Sequence, residues 1–167
     1  YLAQAPLLRH LALTQFFVAR PISISDGSIP VRDYSCTVVV PCKNERGNVD
    51  AIVARTPQMG RGTELLFVDG NSSDGTVEAI EKHLAKPHIR FLPQGEGRGK
   101  GDAVRKGFAA AKGELLFILD ADLTVPPEDL PKFYAAIAEG RGEFINGTRL
   151  VYPMEGRAMR FLNLLGN

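Results

Sequence analysis

Short apolar runs alternate with amphipathic segments along the middle of the chain. Four runs of strand length, rich in aliphatic residues, are separated by three segments whose apolar positions recur at helical spacing. The runs are 37–40, 65–68, 89–92 and 115–119, and the helical segments are 47–55, 74–84 and 102–111. Strands separated by helices of this length form right-handed β-α-β units. The pattern therefore predicts an α/β fold with a mostly parallel sheet and helices on both faces.

The pattern continues beyond the fourth run. Pro126 and Pro127 have a backbone dihedral that suits a first helical turn, and the apolar residues between 130 and 137 indicate a helix after them. Phe144 and Ile145 are predicted to begin one more strand.

The apolar run 115–119 ends at two carboxylates, Asp120 and Asp122. Its continuous apolar character predicts a strand buried on both faces. Ligands of open parallel sheets gather at the carboxyl ends of the strands, so these side chains are suited to bind a cation. Carboxylate oxygens favour Mg²⁺ or Mn²⁺, usually together with substrate phosphates. The alternative is that Asp122 only begins the turn toward the helix after Pro127.

Three loops are expected at the same edge of the sheet. If the strand order reverses, the first and fourth strands flank the reversal, and Pro41, Asn44 and Glu45 then face the two aspartates. The loop 69–76 offers polar groups for a ribose or a base, or is simply a turn.

The glycine-rich stretch 94–101 precedes a helix. It contains Lys100 and suits a phosphate, although it matches neither the Rossmann fingerprint nor a P-loop. A flexible exposed loop is the alternative interpretation.

Composition narrows the class of partner. The chain has 167 residues and a net charge of +1, so it has no electrostatic footprint for nucleic acid, and no nucleic-acid partner is expected.

Cys36 and Cys42 would lie about 20 Å apart in an extended strand, too far for a disulfide. Both are therefore expected to be free thiols in a reducing compartment, and Cys42 is expected to be a small buried residue rather than a nucleophile.

Two domains are predicted, an N-terminal helix and linker in residues 1–34 and a nucleotide-binding domain in 35–167. The apolar segment 7–19 is too short and too polar to span a bilayer, and it suits a packing helix or the tail of a preceding domain. The chain stops within the helical pattern of 157–165, so it is expected to be part of a longer protein. That pattern is largely apolar and fits either packing against further chain or peripheral contact with a membrane surface.

Five motifs within residues 35–150 resemble those of the family 2 glycosyltransferases of the GT-A fold, and within them the dolichol-phosphate mannosyltransferase-like branch. The motifs are CTVVVPCKNE, LLFVDGNSSDGT, GEGRGKGDAVRKGF, GELLFILDADLTVPPEDL and FINGTRL. The resemblance implies a Rossmann-like, mostly parallel GT-A sheet, here truncated at its C-terminal end. The segment before residue 21 is also faintly similar to the end of a methyltransferase domain that some bacterial members carry.

The resemblance also implies roles for individual residues in binding a UDP- or GDP-linked sugar. The DXD pair Asp120 and Asp122 would hold Mg²⁺ or Mn²⁺ against the donor diphosphate, with Lys100 assisting. Two residues depart from the pattern of the branch: Gly70 stands where many members have a second Asp, and Thr124 stands where some have Gln as a further metal ligand. The residues that would belong to the nucleotide pocket are Pro41, Asn44, Glu45 and Asp69.

The resemblance further implies a hexosyltransferase whose acceptor is a polyprenyl (dolichyl-type) phosphate. Asp122 and Arg149 would take part in catalysis, because Arg149 follows a strand in an NGTR segment and its guanidinium suits phosphate oxygens. A surface arginine is the alternative for Arg149. Such an enzyme is expected in the cytoplasm, or peripherally at the cytoplasmic face of the membrane. A sugar-phosphate nucleotidyltransferase and a non-catalytic nucleotide-binding domain are the other two hypotheses.

Overall fold

The computed structural model describes residues 31–147. Within this part of the chain, four parallel strands alternate with helices, as the sequence pattern predicts. The strands are β1 (Cys36–Cys42), β2 (Thr63–Asp69), β3 (Ile89–Pro93) and β4 (Leu115–Ile118), and the helices are α1 (Val49–Arg55), α2 (Thr76–Glu81), α3 (Gly99–Ala110) and α4 (Leu130–Ala138).

The strand order is β3-β2-β1-β4, so the chain moves outward through three strands and then returns to the other side of β1. Right-handed crossovers in opposite directions place their helices on opposite faces of the sheet. The apolar residues of α1 and α2 accordingly pack with one side of the sheet, and those of α3 pack with the other. The predicted reversal between the first and fourth strands is confirmed.

The central strand β1 is buried because it has a strand on each side and a helical layer on each face. Val38 and Val40 point into the layer of α1 and α2, whereas Val39 points into the layer of α3, and all three are fully buried. Both faces of the strand are covered, and this explains why its residues are β-branched and do not alternate between apolar and polar side chains.

Helix α3 lies very close to the sheet at Gly107. A Cβ atom on this residue would overlap Val39 Cγ1 and would stand 3.2 Å from Val68 Cγ2. The glycine therefore permits the approach that brings the beginning of α3 to the carboxyl edge of the sheet.

Strand β4 differs from the prediction of a strand buried on both faces. It is the edge strand of the described sheet, and although Phe117 is buried, Leu116 and Ile118 are 43% and 48% exposed. Helix α3 packs mainly against β1 and β2, and its apolar neighbours in the sheet come from β1, β2 and β3. The prediction was wrong because an uninterrupted apolar run does not reveal how far a facing helix reaches.

A second correction concerns Phe144 and Ile145, where a strand was expected to begin. Residues 141–147 have no regular secondary structure, and Phe144 is 85% exposed. The helix predictions are confirmed, although the ends of the helices are shifted. Helix α3, for example, begins at Gly99, within the glycine-rich stretch.

Several predicted features lie outside the described residues, namely the segment 7–19, Arg149 and the segment 157–165. Among residues 31–147, no helix combines the length and the apolar character needed to cross a bilayer.

Candidate functional site

The predicted nucleotide-pocket and DXD residues gather at the carboxyl edge of the sheet. Pro41 and Asp69 lie in the last positions of β1 and β2, where Pro41 pairs with Val68 and Cys42 pairs with Asp69. Ile118 of β4 is level with Val39, so Asp120 follows at about the level of Pro41. Asp69 and Asp120 therefore lie at the same edge of the sheet, on either side of β1.

Hydrogen bonds join the loop after β1 to the loop after β2. The Asn44 backbone N–H donates to Ser72 Oγ at 2.8 Å, and Asn44 Oδ1 accepts from the Ser73 N–H at 2.9 Å. The Glu45 N–H donates to Thr76 Oγ1 at 2.9 Å. Asn44 has a φ of 57°, a left-handed conformation that asparagine tolerates better than most residues. The two loops thus form one connected surface.

Asp69 is a buried carboxylate, 4% exposed, at the end of β2. Its Oδ2 accepts a hydrogen bond of 3.0 Å from the Ser72 N–H, and its Oδ1 accepts one from the Ser72 hydroxyl. A carboxylate held by two donors is fixed in direction, as a group that recognises a ligand must be. Farther along this loop, Asp74 Oδ1 accepts from the Thr76 N–H at 3.0 Å. Asp74 therefore closes a turn in this loop, although the N-cap of α2 is Gly75.

Gln94 is a buried side chain that no pattern in the sequence indicates. It is 3% exposed, and its Nε2 donates at 2.9 Å to both the Gly99 carbonyl and Asp102 Oδ2. These bonds connect the end of β3 to the first turn of α3 across the glycine-rich stretch. A hydrogen bond from Gln94 is the largest of the effects that hold the pKa of Asp102 below its ordinary value. The stretch is therefore tied down at its two ends rather than being wholly flexible.

The DXD pair is accessible, and one member already has a cationic partner. The side chain of Asp120 is 35% exposed and forms an ion pair with Lys100 Nζ, and Asp122 is exposed. The Thr124 N–H donates to Asp122 Oδ1 at 3.0 Å, which closes a tight turn. Leu123 has a φ of 55°, so the turn passes through a conformation that is unusual for leucine.

These groups fit a divalent cation of the magnesium type. Two accessible carboxylates supply hard oxygen donors, and the ion pair with Lys100 shows that Asp120 can hold a positive charge. Among residues 31–147, no cluster of three or more carboxylate, imidazole or thiol groups is arranged to bind a metal. Mg²⁺ and similar ions commonly bind through one or two carboxylates plus substrate phosphates, so a pair is the donor set expected for a metal that binds together with a diphosphate.

The two cysteines are free thiols, as predicted, and Cys42 is buried, as expected, with Cys36 buried as well. Burial, with additional repulsion from nearby carboxylates, raises the pKa of Cys36 to about 11 and that of Cys42 to about 12. A thiol with such a pKa is a poor nucleophile at neutral pH. This agrees with a packing role for Cys42.

A depression of about 310 Å³ lies at the opposite, amino edge of the sheet and includes Arg61 and Arg90 in its lining. Both arginines are paired with carboxylates, Arg90 with Glu64 and Arg61 with Glu114. None of the predicted site residues lines this depression, so it is not the candidate site.

The fold and the carboxyl-edge residues agree with the comparison with known families. Residues 37–164 match the family described as Glycosyl transferase family 2. The chain therefore belongs to glycosyl transferase family 2.

Curated relatives narrow the resemblance further. The chain is 38% identical over 119 residues to a dolichol-phosphate mannosyltransferase of Saccharomyces cerevisiae, covering 68% of the chain and 44% of that protein. It is 33% identical over 110 residues to an undecaprenyl-phosphate 4-deoxy-4-formamido-L-arabinose transferase of Shewanella sediminis, covering 62% of the chain and 33% of that protein. The chain thus spans less than half the length of these relatives.

Among solved structures, a mannosyltransferase from Pyrobaculum calidifontis in complex with GDP-Man and Mn²⁺ has a TM-score of 0.57 and 26% sequence identity. The similarity covers 71% of the chain and 36% of that protein. This supports the predicted GT-A architecture.

Proposed function

We propose that the full-length protein transfers a sugar from a nucleoside-diphosphate sugar to a polyprenyl phosphate. The observation that carries the proposal is the convergence at one sheet edge of the buried Asp69, the loop at Asn44 and Glu45, and the accessible pair Asp120 and Asp122. Family membership supports sugar transfer over the two alternative hypotheses, nucleotidyl transfer and nucleotide binding alone.

The nucleoside is proposed to bind between the loops after β1 and β2. Asp69 and Glu45 would accept hydrogen bonds from the ribose or base, and their orientation is supported by Ser72 and by Asn48, whose Nδ2 donates to Glu45 Oε2 at 2.8 Å. Pro41 and Asn44 would shape the pocket, because Pro41 lies at the end of β1 and Asn44 in the loop that follows.

Asp120 and Asp122 would hold Mg²⁺ or Mn²⁺ against the diphosphate. When bound there, such an ion offsets the negative charge that builds on the departing nucleoside diphosphate. Lys100 would add a second positive charge close to the same oxygens, since its ammonium reaches Asp120. The solved mannosyltransferase complex with GDP-Man and Mn²⁺ supports this choice of ligand and ion.

The reaction would form one bond and break one bond at the anomeric carbon. An oxygen of the acceptor phosphate attacks this carbon, and the bond to the diphosphate oxygen breaks, with its electron pair leaving on the nucleoside diphosphate. A phosphate acceptor is already ionised, so no general base is required. Arg149 would hold the acceptor phosphate, and residues 157–165 would rest at the membrane surface. The names of the yeast and Shewanella relatives support a polyprenyl-type phosphate acceptor.

Calorimetry with GDP and UDP, with Mn²⁺ and with EDTA, tests the binding step. We expect EDTA to weaken nucleoside diphosphate binding strongly and Asp122→Asn to weaken it in the presence of Mn²⁺, because the bridging cation offsets the repulsion between carboxylates and diphosphate. Equal affinity with and without EDTA would show that the aspartate pair is not a metal site.

A transfer assay on the full-length protein tests the acceptor. Labelled GDP-mannose and UDP-sugars are offered with polyprenyl phosphate or with a soluble sugar, and Arg149→Ala is compared with the unmodified protein. We expect transfer to the lipid phosphate and its loss in Arg149→Ala, with nucleotide affinity unchanged. Efficient transfer to the soluble hydroxyl, with polyprenyl phosphate inert, would refute the proposed acceptor.

A further inference from the structure

The ion pair between Lys100 and Asp120 connects the beginning of α3 to the second residue after β4. The side chain of Lys100 is 59% exposed and that of Asp120 is 35% exposed. The carboxylate that would hold a divalent cation is therefore already paired with a cation that belongs to the chain. A metal ion that approaches Asp120 must compete with this ammonium group.

Lys100 is not placed where a lysine would stabilise its own helix. It lies in the first turn of α3, where the exposed N–H groups carry a partial positive charge and disfavour a cation. An exposed ion pair stabilises a fold by only about 0–1 kcal/mol, so this one can exchange at little cost. The position of Lys100 is thus better explained by what it does for Asp120 than by helix stability.

The backbone around Lys100 leaves room for the side chain to change partner. The flanking residues Gly99 and Gly101 have no atoms within 4 Å of the position that a Cβ would occupy. Gly99 has a φ of 78°, a conformation that other residues rarely adopt. The two residues beside Lys100 thus leave open space around the backbone, and the Lys100 side chain is itself more than half exposed.

We infer that Lys100 is a built-in counter-cation, which occupies Asp120 in the nucleotide-free protein and is released to the diphosphate when metal and nucleotide bind. This rests on the proposed function, because it assumes that Asp120 is a metal ligand. Without nucleotide, the ammonium competes with the metal for Asp120, so metal alone binds weakly. With nucleotide, the diphosphate offers the ammonium a new partner. Metal and nucleoside diphosphate consequently strengthen each other's binding, by the same factor in both directions.

Titration of the nucleotide-free 167-residue chain with Mn²⁺, followed by electron paramagnetic resonance of the free ion, tests the inference. We expect Lys100→Met to raise Mn²⁺ affinity about tenfold, because a competing positive charge is removed from the carboxylate. Lys100→Arg, which keeps the charge, should restore the low affinity. Adding GDP or UDP should raise Mn²⁺ affinity less in Lys100→Met than in the unmodified chain.

The matched control is Arg105→Met, which removes one positive charge from the same helix. Arg105 is 80% exposed and pairs with Asp102 rather than with Asp120. Its replacement should change Mn²⁺ affinity by less than about twofold, since an exposed charge at a distance is screened by salt. Circular dichroism of all variants confirms that the fold is retained.

The outcomes separate this inference from the proposed function. If Lys100→Met leaves Mn²⁺ affinity unchanged, or changes it no more than Arg105→Met does, the counter-cation role is overturned while metal-dependent nucleotide binding stands. If no variant binds Mn²⁺ even with GDP or UDP present, both proposals fail together. Tighter Mn²⁺ binding in Lys100→Met that disappears on adding Asp120→Asn supports the inference.

Discussion

Replacing Gly107 with alanine should show how closely α3 must approach the sheet. The new Cβ would overlap Val39 Cγ1 and stand 3.2 Å from Val68 Cγ2, and both valines are fully buried. Apolar carbon atoms are in favourable contact at about 3.5–4.0 Å, so the helix or the valines must move. Overpacking of this kind costs about 1–3 kcal/mol, whereas alanine gains about 1 kcal/mol over glycine in a helix. We expect a net loss of up to about 2 kcal/mol in the free energy of unfolding.

Gly101→Ala in the same helix is the matched control. No atom lies within 4 Å of its Cβ position, so only the helix-propensity gain of up to about 1 kcal/mol applies. The two variants should therefore differ by about 1–3 kcal/mol, which is a difference of about 0.5–1.5 M between urea midpoints at an m-value of about 2 kcal/mol/M. The measurement is urea unfolding followed by circular dichroism at 25 °C. A midpoint of Gly107→Ala at or above that of Gly101→Ala would refute the close-packing argument.

Three further predictions follow from named side chains. Asp69→Ala should lower nucleoside diphosphate affinity by about tenfold or more, because hydrogen bonds to a charged group are lost, while the circular dichroism spectrum stays unchanged. Unchanged affinity in calorimetry would show that Asp69 does not belong to the nucleotide pocket. Burial raises the pKa of Glu64, but hydrogen bonds from Arg90, from a threonine hydroxyl and from a backbone N–H together hold it below its ordinary value of 4.5. The contribution of Glu64 to the free energy of unfolding is therefore complete above pH 4.5 and is lost as the pH falls through the lower, folded pKa. In urea unfolding measured at several pH values, Glu64→Gln should reduce this loss of stability at acid pH. An unchanged pH profile would contradict the assignment. Cys36 and Cys42 should not react with a disulfide reagent at neutral pH until urea unfolds the chain, because their pKa values are raised to about 11 and about 12, and rapid labelling of the folded chain would contradict their burial.

Much of the fold was predictable because its pattern is local. Each apolar run is long enough for one strand, and each intervening segment repeats its apolar positions at helical spacing. Since parallel strands need crossovers, the alternation also determined the α/β class. The location of Asp69 and Asp120 at one edge followed as well, because each residue comes directly after an apolar run, 65–68 or 115–119, and the two strands run in the same direction.

The contacts among the site residues were not predictable in the same way. Asn44 and Ser72 are 28 positions apart, and Lys100 and Asp120 are 20 apart, so no local periodicity relates them. Gln94 gave no signal at all, since a glutamine beside a glycine-rich stretch is usually exposed. Its burial results from the position of α3, which brings Gly99 and Asp102 within hydrogen-bond distance.

The sequence by itself determined the α/β class, the presence of the four strands β1 to β4, their parallel direction and the chemical character of the groups at their carboxyl ends, but it also predicted a strand at Phe144 that residues 141–147 do not form. Only the tertiary structure decided which side of β4 is covered: the run 115–119 is apolar throughout, yet Leu116 and Ile118 are exposed because α3 packs mainly against β1 and β2. The physical reason is that hydrophobic periodicity shows which side chains of one segment favour burial, whereas their actual burial and the strand pairing depend on which other segments pack against that segment.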